Sequence, residues 1–208
     1  MKLYWAPHSR AFRTLWLLEE SGLAYEREMV PLGSARLKSA EYRAINPMMK
    51  VPALEDGPTR LAESGAICAY VADLTPDGRL APGIGDPARG AYLHWMFFDT
   101  ACMEAAFVER MAGVAIPSRS AGWGSFDQVM GVLEDQLSTG PWVLGERFSA
   151  ADIMLGMSLW YGMHLLKLVK DRPVLEAYVA RCVARPAFQR AEAIEAEGLA
   201  ELEQATKA

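Results

Sequence analysis

The sequence predicts an α/β layer sandwich followed by an all-helical domain. Three observations lead there. Strand-like alternation and helix-like spacing take turns between Lys2 and Leu74. Pro76, Gly78, Pro82, Gly83, Gly85 and Pro87 then crowd one short segment, and only helical spacing follows it. The expected boundaries are a first domain at 1–76, a linker at 77–86 and a helical domain at 87–208.

Lys2-Leu3-Tyr4-Trp5 reads as a short strand and Ala6-Pro7-His8-Ser9 as a turn. A helix is expected at 10–20, with Phe12, Leu15 and Trp16 on its apolar face and Ser21-Gly22 as its stop. Tyr25 to Val30 alternates as a second strand, which completes βαβ. A helix near 39–45, strands at 52–55 and 59–61, and a helix from Ser64 finish the sandwich. Beyond the linker, helices are expected at 87–112, 126–137, 150–168, 174–184 and 187–204. Ser149 and Asp152 have the spacing of a capping box, with Asp as a shorter substitute for Glu, so Phe148-Ser149-Ala150-Ala151-Asp152-Ile153 reads as a folding motif.

Two stretches point to chemistry. In Lys50-Val51-Pro52-Ala53-Leu54 the proline opens a strand, since it cannot donate to a ladder. A cis Val51-Pro52 bond would leave the Val51 N–H and C=O free to pair with an extended ligand; a trans proline opening a strand is the simpler alternative. In Glu63-Ser64-Gly65-Ala66-Ile67 a helix begins, and its N–H groups with the Ser64 hydroxyl suit an anion while Glu63 suits an ammonium. Both charges of one amino-acid end would be met there. The competing assignment is that Ser64 caps the helix and Glu63 is solvated.

These two stretches occur with Tyr4-Trp5-Ala6-Pro7-His8-Ser9, Arg13, Trp16-Leu17-Leu18-Glu19-Glu20, Asn46-Pro47 and the 148–153 motif, in that order over positions 4 to 153. Together they resemble the glutathione transferase superfamily, in its bacterial serine-type members. The resemblance implies a thioredoxin-like first domain and a helical-bundle second domain. It implies that Val51, before a cis Pro52, pairs with the cysteinyl part of glutathione, that Glu63 and Ser64 hold the γ-glutamyl end, and that Lys50 binds the glycine carboxylate. Ser9 is the expected thiol-activating residue, with Tyr4 as the minor alternative. Met49 departs from the pattern, which has a small residue, often glycine, at that place.

The resemblance also makes the chain a homodimer in which Asp99 reaches the γ-glutamyl ammonium bound by the partner subunit, a solvated helix carboxylate being the alternative. Met103, Phe107 and Met111 recur at helical spacing, as an adaptable apolar wall for a co-substrate or as plain core. His8 is a second polar group at the mouth or an exposed turn residue; Arg10 steers an anionic co-substrate or is solvated. The expected activity is attack of the glutathione thiolate on electrophilic, largely apolar small molecules. The turn from Ala6 to Phe12 has no cysteine, which disfavours redox exchange through the protein. It also lacks the Ser-Ser-Cys-Ser turn usual in glutathione-dependent isomerases, the first rival. A non-catalytic glutathione-binding module is the second, favoured by Met49.

Composition narrows the remaining classes. A chain of 208 residues, 51% hydrophobic, can bury the cores of one or two domains. No apolar run reaches the roughly 18 residues of a membrane span, and Met1-Lys2-Leu3-Tyr4 enters a strand directly, so neither a membrane segment nor a signal peptide is expected and a cytoplasmic enzyme is. A net charge of −5 and a pI near 5.3 argue against nucleic acid. Cys68, Cys102 and Cys182 lack disulfide or zinc spacing, and His8, His94 and His164 are too scattered to suggest a metal.

Overall fold

The computed structural model describes residues 1–207, which form two compact units. The first comprises Met1–Pro76 together with the chain from Arg185 onward; the second is Asp77–Ala184.

The first unit is built on a four-stranded sheet in the order β2-β1-β3-β4, with β1 at Lys2–Trp5, β2 at Glu26–Met29, β3 at Ala53–Asp56 and β4 at Thr59–Ala62. β1 pairs parallel to β2, with Lys2 opposite Glu26, and antiparallel to β3, with Tyr4 opposite Ala53. β3 pairs antiparallel to β4, with Ala53 opposite Ala62. This is the expected thioredoxin-like arrangement. The two central strands carry the buried residues, Leu3, Tyr4 and Trp5 on β1 and Ala53 and Leu54 on β3.

Helix α1 (Ala11–Ser21) is buried along most of its length and ends at Gly22, whose left-handed backbone lets its N–H reach the Leu18 carbonyl at 3.3 Å. Helices α2 (Ala40–Ile45) and α3 (Ser64–Leu74) complete the N-terminal part of the unit. The residues expected to close the helical domain do otherwise. The last helix, Pro186–Lys207, packs against α1 in the first unit, so the boundary expected at 87–208 is corrected. The Phe188 ring meets Phe12 at 5.2 Å and Trp16 at 5.1 Å, edge to face, and Arg185 pairs with Glu20 at 2.9 Å. Periodicity identifies an apolar helix face but not the surface it will cover.

In the second unit the chain passes through α4 (Arg89–Phe97), α5 (Glu104–Ala112), α6 (Phe126–Leu137), α7 (Ala150–Trp160) and α8 (Pro173–Val183), which makes the terminal helix α9. The expected linker at 77–86 is docked rather than free. Leu80, Ala81 and Pro82 are buried, Ala150 donates its N–H to the Leu80 carbonyl at 2.8 Å, and Arg147 reaches the Gly78 carbonyl at 2.7 Å. Two expected helices contain wide π turns, Phe98–Met103 between α4 and α5 and Tyr161–Leu165 after α7. At the second, Gly162 has no room for a side chain: a Cβ would lie 2.8 Å from Phe107 Cζ and 2.9 Å from Val169 Cγ2.

The capping box at Ser149 and Asp152 forms as expected, and it does more. The Asp152 carboxylate, fully buried, accepts from the Val143 N–H at 3.0 Å, the Ser149 N–H at 2.9 Å and the Tyr178 hydroxyl at 3.0 Å. Burial pushes its pKa up to about 6 despite these donors. Among the described residues no helix is long and apolar enough to cross a membrane, no cluster of side chains could hold a metal ion, and the three cysteines are free thiols.

Candidate functional site

Strand register brings the sequence-predicted residues of the first unit to one end of the sheet. β1 runs antiparallel to β3, so the turn that leaves β1 at Ala6 lies at the end where the chain enters β3 through Val51-Pro52. β3 runs antiparallel to β4, so Glu63 and Ser64, just past the end of β4, lie at that end as well. Ser9, Val51 and Ser64 are far apart in sequence, and the topology gathers their segments.

The turn presents Ser9 at the start of α1. Its hydroxyl donates to the Ala6 carbonyl at 2.6 Å, and its oxygen accepts the Ala11 N–H at 3.1 Å. Ser9 therefore serves the helix start and is itself a half-buried residue. Tyr4 is unsuited to the thiol. Its hydroxyl donates to Glu55 on the sheet, and burial followed by that bond raises its pKa. His8 and Arg10 are exposed on either side of Ser9.

The loop before β3 is set by residues to which sequence reasoning gave no role. Buried Asn46 donates to the Lys50 carbonyl at 2.7 Å and accepts the Met48 N–H at 3.0 Å, while the Tyr42 hydroxyl also donates to the Lys50 carbonyl, at 2.8 Å. The Val51-Pro52 bond is cis, and neither backbone group of Val51 is hydrogen-bonded among the described residues. Lys50 extends an exposed side chain. Met49 lies in the left-handed region at φ 50, which accounts for the small residue that resemblance leads one to expect there.

At the start of α3, Glu63 sits at φ 66 and ψ 117, a conformation strained for any residue but glycine, and its exposed side chain does not cap the helix. Ser64 is the first helical residue rather than the cap, and its hydroxyl has no partner among the described residues. The competing assignment of Ser64 as a cap is thus not what the backbone adopts. The first N–H groups of α3, which no helix can pair internally, remain beside that hydroxyl.

Residues placed in the second unit fare differently. Asp99, within the π turn, is buried, so the alternative of a solvated helix carboxylate is corrected. Met103 and Phe107 are also core, with Phe107 packed against Phe126 at 5.8 Å; of the expected apolar wall, Met111 has an exposed side chain. One residue of the first unit escaped sequence reasoning altogether. Glu195, on α9, accepts the His8 N–H at 3.0 Å, a pairing across 187 positions that no local signal announces.

Comparison with known proteins bears on the family and the fold. Residues 1–73 match the model of the glutathione S-transferase N-terminal domain, and residues 105–181 that of the C-terminal domain. A solved ternary complex of BphK, a bacterial GST, is 30% identical over 94% of this chain and all of that one, with a TM-score of 0.79. A sphingomonad glutathione S-transferase complexed with glutathione is 28% identical over 94% of this chain and 99% of that one, with a TM-score of 0.76. Elongation factor 1-gamma of Prunus avium is 29% identical over 88% of this chain, which spans 45% of that protein. Two domain matches in the expected order and a full-length structural relative at 30% identity place the chain in the glutathione S-transferase family.

Proposed function

We propose that the protein conjugates reduced glutathione to electrophilic, largely apolar small molecules, with Ser9 stabilising the thiolate. What carries this reading is the gathering at one sheet end of three groups that fit one tripeptide. The unpaired Val51 backbone suits its cysteinyl part, the α3 start with Ser64 and Glu63 its γ-glutamyl end, and Lys50 its terminal carboxylate. The glutathione complex of the sphingomonad relative supports the choice of ligand.

The energetics are adequate. A thiol of pKa about 8.5 is only about 3% ionised at pH 7, and lowering it by about two units takes about 2.7 kcal/mol of preference for the thiolate. A hydrogen bond to a charged group contributes about 1.5–3 kcal/mol and a helix N-terminus about 0.3–1. When sulfur arrives, the Ser9 O–H turns from the Ala6 carbonyl toward it, while the Ala11 N–H on the same oxygen sharpens the donor. The thiol proton leaves to solvent, sulfur forms a bond to the electrophilic carbon, and the displaced group or the acceptor takes the electron pair. The chain acts as a homodimer in the cytoplasm in this reading.

Ser9→Ala tests it. The substitution should raise the kinetic pKa and slow conjugation of an aromatic electrophile at pH 6.5 by about 10–100-fold, as loss of that hydrogen bond implies, while glutathione still binds. Unchanged rates would transfer the role to another donor. The likeness to elongation factor 1-gamma favours a second reading, a binding module; it gains if the wild type binds glutathione but turns over no electrophile.

A further inference from the structure

We propose that Glu195 of α9 is a positioning residue for the thiol-activating turn: it holds the His8 backbone, and thereby sets where the Ser9 hydroxyl meets the sulfur. The inference rests on the role of Ser9 given above. His8 occupies the left-handed region at φ 55, which a non-glycine residue keeps when its surroundings hold it there. Glu195 supplies such a hold, its Oε1 accepting the His8 N–H at 3.0 Å. On the other side of the turn, the Ser9 hydroxyl bridges the Ala6 carbonyl and the Ala11 N–H. The reactive hydroxyl therefore sits between two ties, and only one of them comes from a distant part of the chain.

The close approach of α9 makes that tie possible. At Gly198, three residues after Glu195, a Cβ would stand 2.7 Å from Cη2 of Trp5 and 3.1 Å from Cγ of Pro7. The helix backbone thus lies directly against the end of β1 and the turn. The second carboxylate oxygen of Glu195 is buried and accepts no hydrogen bond. Burial raises the pKa of this carboxyl; His8 on the turn acts in the opposite direction, and Glu192 on α9 in the same one. Holding α9 in place does not require Glu195, because Phe188 on Phe12 and Trp16, with Arg185 on Glu20, already does so.

Two conservative variants separate reach from charge. Glu195→Gln keeps the length and an acceptor oxygen; Glu195→Asp keeps the charge but falls one methylene short of His8. In the full-length proteins, the thiol pKa of bound glutathione is read from its ultraviolet absorbance, alongside the pH profile of kcat/KM and protection of the His8 amide from hydrogen exchange. Glu195→Gln should match the wild type. Glu195→Asp should lose His8 protection and raise the thiol pKa by about one unit, a loss of about tenfold in kcat/KM at acidic pH, with KM for glutathione within about threefold. An aspartate variant that matches the wild type, two equally impaired variants, or an unprotected His8 amide in the wild type would overturn the proposal. A wild type that leaves the thiol at its solution pKa instead refutes the role of Ser9, and is seen before any variant is made.

Discussion

Met49 shows how one side chain can sit against its own backbone. A left-handed conformation costs a non-glycine residue roughly 1–2 kcal/mol, and glycine gives back roughly 0.5–1 of that through the freedom it loses on folding. Met49→Gly should therefore stabilise the fold by about 0.5–1 kcal/mol and leave glutathione binding equal or tighter, as urea unfolding and calorimetric titration would show. A destabilised variant would mean that the methionine side chain makes contacts outweighing the backbone cost. At this scale the sequence was most readable where a motif names backbone chemistry. The Val51-Pro52 bond is cis, one of the two alternatives its motif left open, and a helix does begin at Ser64. Asp99 was not readable, because a carboxylate on an amphipathic helix gives no sign of whether it faces water or core. Glu195 was equally hidden, since its partner is an amide 187 positions away.

Among the elements, α7 carries the sharpest electrostatic consequence. Asp152 has its pKa raised from 3.8 to about 6, so the folded state holds a proton over a range where the unfolded chain has released it. Its contribution to stability is thus complete below about pH 4, falls as pH rises toward 6, and is spent above, a change of about 3 kcal/mol. Asp152→Asn, which turns an amide NH2 toward converging donors, should cost about 1–3 kcal/mol. In urea unfolding from pH 4 to 7, the advantage of Asp over Asn should shrink with rising pH. A constant difference would mean that the converging donors keep the carboxylate ionised throughout. The stop of α1 and the start of α7 were legible because Gly and capping-box signals act locally. The π turns were not, because they answer to packing, as the Phe107 ring against Gly162 shows.

On the scale of the whole chain, the division into units follows contact rather than sequence order. The composition shift after Leu74 marked one boundary, since proline and glycine interrupt periodicity; the return of α9 to α1 left no such mark. A chain stopped after Ala184 should fail to fold its first unit cooperatively and be poorly retained on immobilised glutathione, because Phe12 and Trp16 lose the helix that covers them. Phe188→Ala alone should cost about 3–5 kcal/mol in chemical denaturation, a large part of the total for a marginally stable protein. The same discontinuity orders events on the ribosome. Asp77–Ala184 leaves the ribosome ahead of the segment from Arg185, whereas the first unit stays incomplete, its aromatic residues uncovered and open to chaperones, until that segment has emerged. A message cut short before that segment thus leaves the first unit without the helix that covers Phe12 and Trp16.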